Sequence, residues 1–458
     1  MTQSHCFCVA AVILLGAASA QGAGEPIFAH LSYRLSMRSG VRDVNGNLIA
    51  GTEVMHLVPH KGRLYASTSL WMESDLSIPK ACQILVLDSP KGPWRVEHQF
   101  TKSNLRYGSL REVTFSTGAR GKKITPFTLL LAAPDVIRGA LKVYCRDDVT
   151  GDWAGSEVGP VAKYASSRAI GLHRDRVTGV DRIFVGLGTC ENAVTDQLGT
   201  FAGVYDRKAP GRVRWEAKPE FPTAEGERVM GFCNCNGIFY CASSRHIYQR
   251  IDGSAPAWKE IYFCPQEINP CGIRGLSAVP NPAAAGEVLL FVALSKVRRL
   301  DPADGFKETV ELDTPEFLTR QLGVKVTYVL AAYNEFLPYT MPRGETVRLF
   351  GFECCHPATV VDANPRIQAR AQIKEKPKPA CFAGNARYCI RHARGSDIRY
   401  DLAEITDPRE PQLVSTRTIA VSPFPADRGK ALYFGGYDCN YVPSHSTGWI
   451  YRAELPLR

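Results

Sequence analysis

The sequence predicts an all-β protein, and the main evidence is one strand-rich repeat that occurs seven times. Each copy opens with five residues, of which the third and fifth are apolar and the fourth is usually small. This alternation is typical of a strand that has limited space on one face. The copies begin at Glu53, Arg111, Arg168, Arg228, Arg274, Tyr328 and Arg417. A regular repeat made of several strands predicts one closed seven-bladed β-propeller rather than several domains.

Each copy continues with two further strands. The second strand is a nearly continuous apolar run, for example residues 288–292, as expected where neighbouring blades cover both faces of a sheet. The third strand ends in a polar tail, for example residues 247–250. The last copy stops after its third strand, and residues 27–36 are the candidate for its missing strand. Pairing this N-terminal strand with the last blade would close the ring and remove its exposed edges, so we predict one domain over residues 21–458.

An acidic residue, a turn with Gly or Pro and a tryptophan follow several of the third strands. The four pairs are Asp88 and Trp94, Asp148 and Trp153, Asp206 and Trp215, and Asp252 and Trp258. This skeleton resembles a degenerate Asp-box, the turn motif of sialidase-like BNR propellers. The resemblance implies that the acid caps a hairpin and that the tryptophan packs between blades. It supports the fold and transfers no sialidase activity, because one fold hosts many functions.

Residues 1–20 have the composition of a secretory signal peptide. They contain no Lys, Arg, Asp or Glu, and their apolar run ends in Ala18-Ser19-Ala20, a small-x-small cleavage site. The alternative, a membrane anchor, is disfavoured because the run is short for a bilayer and no later segment could span one. We therefore expect a secreted or periplasmic monomer. Thirteen cysteines remain after removal of the signal, an odd number, so at least one is unpaired.

The charge of the chain points to an anionic partner. The formal net charge is +10, and no block of Lys or Arg dominates it. A diffuse basic surface favours acidic glycans, phosphates or anionic cell surfaces. Nucleic acid is not expected as a partner of an exported protein. The sixth copy also carries a long insertion, residues 354–383, and insertions of this length are commonly functional lids or disordered segments.

The residues that open the repeats are the candidate ligand-binding residues. First strands line the axis of a propeller, so their opening residues should form a ring at the mouth of the central channel. The ring comprises Arg111, Arg168, Arg228, Arg274 and Arg417, with Glu53 and Tyr328 completing it. Guanidinium groups bind carboxylate, sulfate or phosphate with two parallel hydrogen bonds. The alternative is structural, with each arginine tying its blade to the next, and both roles can occur within one ring.

Loops at the same mouth supply candidate acids and bases. They carry Glu73, Asp135, Glu191, His246, Glu353, His356, Asp438 and His445. This set suits β-elimination from a uronic acid, because an arginine can neutralise the carboxylate while His or Tyr removes the adjacent proton. In this hypothesis Arg228 and Arg274 bind the carboxylate, His246 or His356 is the base and Tyr333 is the acid. The protein would then be a polysaccharide lyase.

Two other functions stay open. The first is a non-catalytic propeller that binds a glycan or a protein through its loops. The second is a metal-dependent hydrolase or oxidoreductase, with a divalent metal near Cys354, Cys355 and His356 or near Cys233, Cys235 and Cys241. Buried cysteines commonly behave as small apolar residues, which weakens the metal hypothesis. The cofactor is otherwise unknown.

The remaining motifs and histidines give little evidence for a function. The chain lacks a Gly-x-Ser-x-Gly elbow, a His-Glu-x-x-His helix and a phosphate-binding Gly-x-x-x-x-Gly-Lys loop, so the corresponding enzyme classes are set aside. His56 falls at the small fourth position of its strand and is expected to be a core histidine. His60 and His173 lie at or near turns, where exposure is expected.

Overall fold

The structure is a computed structural model in which every main sheet is antiparallel. It describes residues 28, 31–70, 82–101, 104–136, 139–162, 165–188, 198–223, 227–266, 272–342, 344–357, 380–382, 386–407, 409, 413–438 and 447–455. The described strands form seven sheets, which we number as blades I to VII in chain order. This arrangement confirms the predicted all-β, seven-bladed propeller.

The strand bounds of the first four blades follow the chain, after an N-terminal strand β1 (Ser32–Arg38) that belongs to blade VII. Blade I contains β2 (Glu53–His60), β3 (Arg63–Ser69), β4 (Gln83–Leu87) and β5 (Arg95–Gln99). Blade II contains β6 (Asn104–Thr117), β7 (Lys123–Val136), β8 (Gly139–Arg146) and β9 (Trp153–Ala162). Blade III contains β10 (Ser166–Arg174), β11 (Asp181–Gly188), β12 (Gly199–Tyr205), β13 (Val213–Trp215) and β14 (Phe221–Pro222). Blade IV contains β15 (Gly231–Cys235), β16 (Ile238–Ala242), β17 (His246–Ile251) and β18 (Ala257–Phe263).

The last three blades complete the ring. Blade V contains β19 (Arg274–Pro280), β20 (Glu287–Ala293), β21 (Lys296–Asp301) and β22 (Lys307–Asp313). Blade VI contains β23 (Tyr328–Ala331), β24 (Leu337–Thr340), β25 (Thr346–Pro357), β26 (Ala380–Phe382), β27 (Arg387–Arg394) and β28 (Asp397–Glu404). Blade VII contains β29 (Ser415–Val421), β30 (Ala431–Tyr437) and β31 (Gly448–Glu454) in addition to β1.

The first strand of each blade lies on the inside of the ring. In chain order β2 contacts β6, β6 contacts β10, β10 contacts β15 and β15 contacts β19, and β29 contacts both β25 and β2. Apolar side chains fill the spaces between neighbouring blades, and large core clusters join blades II and III, blades V and VI, and blades VII and I. The starts of the first strands therefore meet at one end of a central channel, which we call the upper face.

Strand β1 supplies the fourth strand of blade VII. It pairs antiparallel with β31, from Ser32 opposite Glu454 to Arg38 opposite Trp449, with a bulge between Leu35 and Met37. The Met37 side chain is buried with the core shared by blades VII and I. Residues 27, 29 and 30 of the segment expected to close the ring lie outside the described residues.

Removing this strand is expected to destabilise the protein. Deleting residues 21–36 takes away most of the β1 ladder and leaves β31 with an unpaired edge, so the melting temperature should fall by at least several degrees. Differential scanning calorimetry of the deletion and of a shorter deletion of residues 21–26 tests this, and the shorter deletion should match the full mature chain. An unchanged melting temperature for both would show that the ring does not depend on β1.

Blade VI differs from the others because its inner strand is broken. Strands β23 and β24 both pair with β25, and residues 332–336 between them leave the ladder. Ala332 has a φ of 47°, a conformation that is rare for residues other than glycine. The insertion expected from residue 354 to 383 is described only at its two ends, where β26 pairs with β25. The break in the inner strand puts Tyr333 on the axis of the ring.

A single α-helix occurs in the described residues, and the sequence analysis did not predict it. Helix α1 (Thr314–Leu322) is capped by Asp313, whose carboxylate accepts a hydrogen bond from the backbone N–H of Glu316, and it ends at Gly323. These are standard start and stop signals. Phe317 and Leu318 pack into the core between blades V and VI. No helix in the described part of the chain is long and apolar enough to cross a membrane.

Buried arginines on third strands join neighbouring blades. Arg146 of blade II binds Glu97 of blade I, with an Nη2–Oε1 distance of 2.9 Å, and Trp153 donates to the same carboxylate. Arg250 of blade IV binds Glu220 of blade III at 2.7 Å, and Trp258 donates to that carboxylate. Two of the Asp-box tryptophans thus lie at blade interfaces, as the resemblance implies. A third interface uses Arg391 and Glu311 at 2.7 Å, with Tyr400 in place of the tryptophan.

The expectation that His60 and His173 are exposed is wrong. Both residues are buried, because the ends of their strands lie against the next blade. His60 contacts Glu112 at 2.5 Å and Asp148 at 2.9 Å, and His173 contacts Asn234 and Asp252. Proximity to a turn did not reveal this, because the covering side chains come from another blade.

Candidate functional site

A cluster of charged residues and tyrosines lies at the upper end of the channel, where the first strands begin. We call it the axial cluster, and its members are buried or nearly so. They come from all blades except IV and are Glu53, Arg106, Asp135, Arg168, Arg274, Tyr333, Glu353, Arg417 and Tyr437.

Tyr333 is the centre of the axial cluster. Its ring lies between two guanidinium groups, with the Cζ of Arg274 4.4 Å and the Cζ of Arg417 4.3 Å from the ring centroid. Its hydroxyl accepts a hydrogen bond of 3.1 Å from Nη1 of Arg168. Both faces and the hydroxyl of one tyrosine are therefore in contact with cations, a geometry that attraction between cations and aromatic rings stabilises.

The break in blade VI puts Tyr333 on the axis. The side chain of Asn334 donates to the backbone carbonyl of Met55 across the channel at 2.8 Å. Gly275 of blade V makes room for the turn, since a Cβ at this position would lie 2.7 Å from the Cβ of Ala332. Gly275 itself has a φ of 65°. Two unusual backbone conformations in contact thus hold the tyrosine in place, as is common at functional sites.

Three of the four clustered arginines have acidic partners. Arg417 lies 3.3 Å from Glu53 and 3.3 Å from Glu353. Burial opposes the charge of Arg417, but the carboxylates of Glu353 and Glu53 outweigh burial, so its pKa is raised. Arg106 lies 3.6 Å from Glu53, which raises the pKa of Arg106 against the effects of burial and of the nearby Arg168.

Arg168 also has a carboxylate nearby. Its Nη2 lies 3.7 Å from Asp135, whose other carboxylate oxygen accepts a hydrogen bond from the backbone N–H of Ser167. Arg168 therefore connects the hydroxyl of Tyr333 to an acid held in place by the backbone.

Arg274 is the exception. Its side chain is 3% exposed, and its Nε and Nη2 are buried without a hydrogen-bond partner among the described residues. Within the same part of the chain, its only contact with a charged or aromatic group is the ring of Tyr333. A buried guanidinium without a carboxylate is costly, because the lost hydration is not replaced. The described residues therefore leave the charge of Arg274 without a neutralising partner.

A second tyrosine is joined to an acid. Tyr437 donates a short hydrogen bond to Glu353, and its oxygen accepts a hydrogen bond of 3.0 Å from Nη2 of Arg417. All three side chains are buried. Glu353 lies within β25 of blade VI, Tyr437 ends β30 of blade VII and Arg417 lies near the start of β29 of blade VII, so the trio joins blades VI and VII.

The structure corrects the ring position expected for Arg111. Blade II begins its inner strand at Asn104, and bulges on either side of Tyr107 shift its register. Arg106 therefore occupies the clustered position, whereas Arg111 lies farther along the channel, half exposed and 4.0 Å from Glu335. One feature of the sequence could have revealed Arg106, namely the length of the strand before the hairpin at residues 118–122. The five-residue pattern does not include that length, so Arg106 was missed.

Two other residues expected in the ring, Arg228 and Tyr328, have the following contacts. Arg228 precedes β15, and its backbone N–H donates to the hydroxyl of Ser244. Tyr328 packs against an apolar cluster that includes Met55, Leu330 and Tyr333. The structure thus brings Glu53, Arg168, Arg274, Arg417 and Tyr333 together and leaves Arg111 and Arg228 outside the axial cluster.

The predicted bases do not join this cluster in the described residues. Both ring nitrogens of His246 contact acids, Glu227 at 3.3 Å and Glu260 at 2.8 Å, and its ring stacks on Phe263. His246 also lies on a third strand, away from the axis. The side chain of His356 lies outside the described part, as do Glu73, Glu191 and His445.

The cysteines predicted as metal ligands are buried thiols. Burial raises the pKa of Cys354, Cys235 and Cys241 to about 12, so these thiols stay protonated near neutral pH. A thiol binds a metal as the thiolate, so this burial opposes metal binding. No group of three His, Cys, Asp or Glu side chains among the described residues is arranged to hold a metal ion.

A cavity of about 390 Å³ runs along the channel beside the axial cluster. Arg168, Tyr333 and Arg417 line it near the upper face, and Arg111 and Glu335 line it farther down. His56 also lines the cavity. It is buried, as expected, and its Nε2 lies 3.2 Å from the backbone carbonyl oxygen of Gly108. Burial lowers the pKa of His56 to about 4, so its ring is neutral at pH 7.

The fold and the site define a class, a seven-bladed β-propeller with a buried arginine and tyrosine cluster at the upper end of its channel. No family model and no curated relative matches the sequence. Solved structures with a similar course of the chain include the Trypanosoma rangeli sialidase, with 9% identity, 93% of this chain and 59% of that chain covered, and a TM-score of 0.39. This chain therefore spans less than two thirds of that sialidase.

Two further structures show how broad these likenesses are. The match to the NanB sialidase from Streptococcus pneumoniae has 12% identity and a TM-score of 0.40. It covers 93% of this chain and 70% of the sialidase chain. The match to the S. cerevisiae core factor has 7% identity and a TM-score of 0.42. It covers 93% of this chain and 61% of the core-factor chain. Likenesses this distant carry no activity over to this chain.

Proposed function

We propose that the protein binds the carboxylate of an acidic saccharide at the axial cluster and cleaves the saccharide by β-elimination. The observation that carries this proposal is Arg274, which is buried beside Tyr333 without an acidic partner among the described residues. A bound carboxylate would complete the missing ion pair and satisfy its free N–H groups. The other clustered arginines are already paired, so Arg274 is the one that a ligand would neutralise.

Tyr333 is the group best placed for proton transfer in this proposal. Arg274 withdraws charge from the carboxylate of a uronic acid, which acidifies the C–H at C5. The hydroxyl oxygen of Tyr333, which accepts a hydrogen bond from Arg168, takes the C5 proton while the hydroxyl gives its own proton to the glycosidic oxygen on C4. The C5–H electron pair forms the C4=C5 double bond as the bond between C4 and the glycosidic oxygen breaks, so Tyr333 ends the step as the hydroxyl it was at the start. No histidine is needed for this step, which agrees with the position of His246 outside the cluster.

The test combines activity with stability in one variant, Arg274→Met. The mature protein is incubated with uronic-acid polysaccharides, and the unsaturated product is followed by its near-ultraviolet absorbance. We expect Arg274→Met to lose at least about 100-fold in rate, since the substitution removes the carboxylate partner. Because Arg274 has no acidic partner in the described part of the chain, the melting temperature of the variant should stay the same or rise.

A control separates ligand binding from folding. Arg417→Met leaves Glu53 and Glu353 without their shared cation, so it should lower both activity and melting temperature. If Arg274→Met kept full activity on a substrate of the wild type, the proposed role of Arg274 would be wrong.

A non-catalytic function is the second candidate, and the deep burial of the cluster favours it, since Tyr333 is only 7% exposed. Tyr333→Phe distinguishes the two functions. It should abolish product formation in a lyase while oligouronate binding, measured by calorimetry, is retained. Binding that requires Arg274 without product from any polysaccharide would establish a binding propeller.

A further inference from the structure

A second charged site lies on the lower face, opposite the axial cluster. It is a groove of about 720 Å³ between blades VII and I. Its walls are residues 34–36 of β1, the turn at 90–92, residues 426–431 and residues 452–455. We call it the rim groove. It exists only where β1 has joined the last blade, because β1 forms one wall.

The rim groove has an excess of cations. Four of its basic side chains, Arg34, Lys91, Arg428 and Lys430, have no ion pair or hydrogen bond with any described residue. Arg34, Lys91 and Arg428 are exposed, and Lys430 is half-buried. Charges that converge in this way repel one another, and an anion that bridges them relieves the repulsion.

The fifth cation of the groove is already neutralised. Arg452 binds Asp427 at 2.7 Å and also contacts Glu454, and its Nε is buried without a partner. Asp427 accepts a further hydrogen bond from Ser422. The two acids of the groove are therefore committed to Arg452, and the other four cations keep their charge for a ligand.

One of these cations, Arg428, has an unusual backbone conformation. Arg428 has a φ of 49° and ends the short 3₁₀ turn Pro425–Asp427. A left-handed conformation is uncommon for residues other than glycine, Asn and Asp. Gly429 follows with a φ of 71° and has open space around its Cβ position. A glycine would relieve the strain at 428, yet the chain has an arginine there.

We propose that the rim groove binds a sulfated or carboxylated polysaccharide. The groove is large enough for one or two sugar units, and its four unpaired cations match the spaced negative charges of such a chain. Its lining contains no aromatic residue, so it lacks the stacking surface on which proteins hold single-stranded nucleic acids. Because the groove and the axial cluster lie on opposite faces, a polysaccharide held in the groove leaves the channel free.

The experiment measures binding of a sulfated octasaccharide by fluorescence anisotropy. A groove variant carries Arg34→Gln, Lys91→Gln, Arg428→Gln and Lys430→Gln. A control variant carries Lys122→Gln, Lys208→Gln, Lys218→Gln and Lys259→Gln, which are exposed cations of blades II, III and IV without an ion pair among the described residues. Both variants lose four positive charges. They differ in where those charges were and in the two arginines among the groove residues.

We expect the groove variant to bind at least about tenfold more weakly, with a shallower dependence on salt, and the control to stay within about twofold of the wild type. Both proteins should keep the wild-type melting temperature. All measurements are repeated in the Arg274→Met background, which removes the axial ligand site and makes the result independent of the proposed function.

Three outcomes would overturn the proposal. Equal weakening in both variants would show attraction by net charge alone. Tighter, groove-dependent binding of a single-stranded oligonucleotide, or of vesicles with anionic lipid, would assign the groove to that partner instead. Unchanged binding in the groove variant would place the octasaccharide elsewhere.

Discussion

Replacing Arg250 by methionine is expected to lower the free energy of unfolding by about 3–5 kcal/mol, because it leaves buried acids without their cation. The Arg250 side chain is fully buried. Its guanidinium contacts Glu220 at 2.7 Å, Asp175 at 2.9 Å and Asp252 at 2.6 Å. It also lies over the ring of Phe184, so one residue connects blades III and IV through both charge and packing. Methionine has a similar length, which keeps most of the packing and isolates the loss of charge.

Denaturant unfolding measures this effect, with Arg176→Met as the matched control. Arg176 contacts the same Asp252 at 3.0 Å, but its side chain is half exposed. An exposed ion pair contributes at most about 1 kcal/mol, so the control should be close to the wild type. Similar losses in the two variants would show that burial of Arg250 does not decide its contribution.

Replacing Gly275 by alanine is expected to abolish function at the axial cluster and to destabilise the protein. A Cβ at this position would lie 2.7 Å from the Cβ and 3.0 Å from the carbonyl oxygen of Ala332. Since both obstacles belong to the turn that carries Tyr333, the turn must move, and the ring of Tyr333 must leave its place between Arg274 and Arg417. We expect at least tenfold weaker oligouronate binding and a loss of roughly 2–4 kcal/mol, from strain at a positive φ together with the clash.

Gly305→Ala is the control that measures the cost of a positive φ without the clash with Ala332. Gly305 has a φ of 61°, close to the 65° of Gly275, but a Cβ there meets no atom within 4 Å. It should therefore lose only about 1 kcal/mol and retain ligand binding. Wild-type binding by Gly275→Ala would show that the position of Tyr333 does not depend on this contact.

The number of blades and the order of their strands could be predicted from the sequence. Each blade is formed by residues close together in the chain, so its pattern of apolar and polar positions is a local property. The second strands, such as β20, are apolar throughout because blades cover both their faces. The fourth strands of blades I to VI were not recognised, because strands such as β18 and β22 are mostly exposed and lack an apolar period.

The axial cluster could be predicted only in part. The opening arginines Arg168, Arg274 and Arg417 were recognised from their place in the repeat. Arg106 was missed because bulges in β6 change the count between the arginine and the apolar core of its strand. A bulge is a property of two paired strands, so a single strand's pattern does not reveal it.

What the sequence by itself determined is the repeat, its seven copies and the strands on which Arg111, Arg168, Arg274 and Arg417 lie. Only the tertiary structure decided which of those arginines are neutralised, because the partners come from distant parts of the chain. Arg417 and Glu53 are 364 residues apart in sequence and meet where the ring closes. The same holds for Arg274, whose buried charge faces the ring of Tyr333 and no acid among the described residues. A break in blade VI brings this tyrosine to the axis. The energy of a buried charge depends on what surrounds it in space, and spacing along the chain does not contain that information.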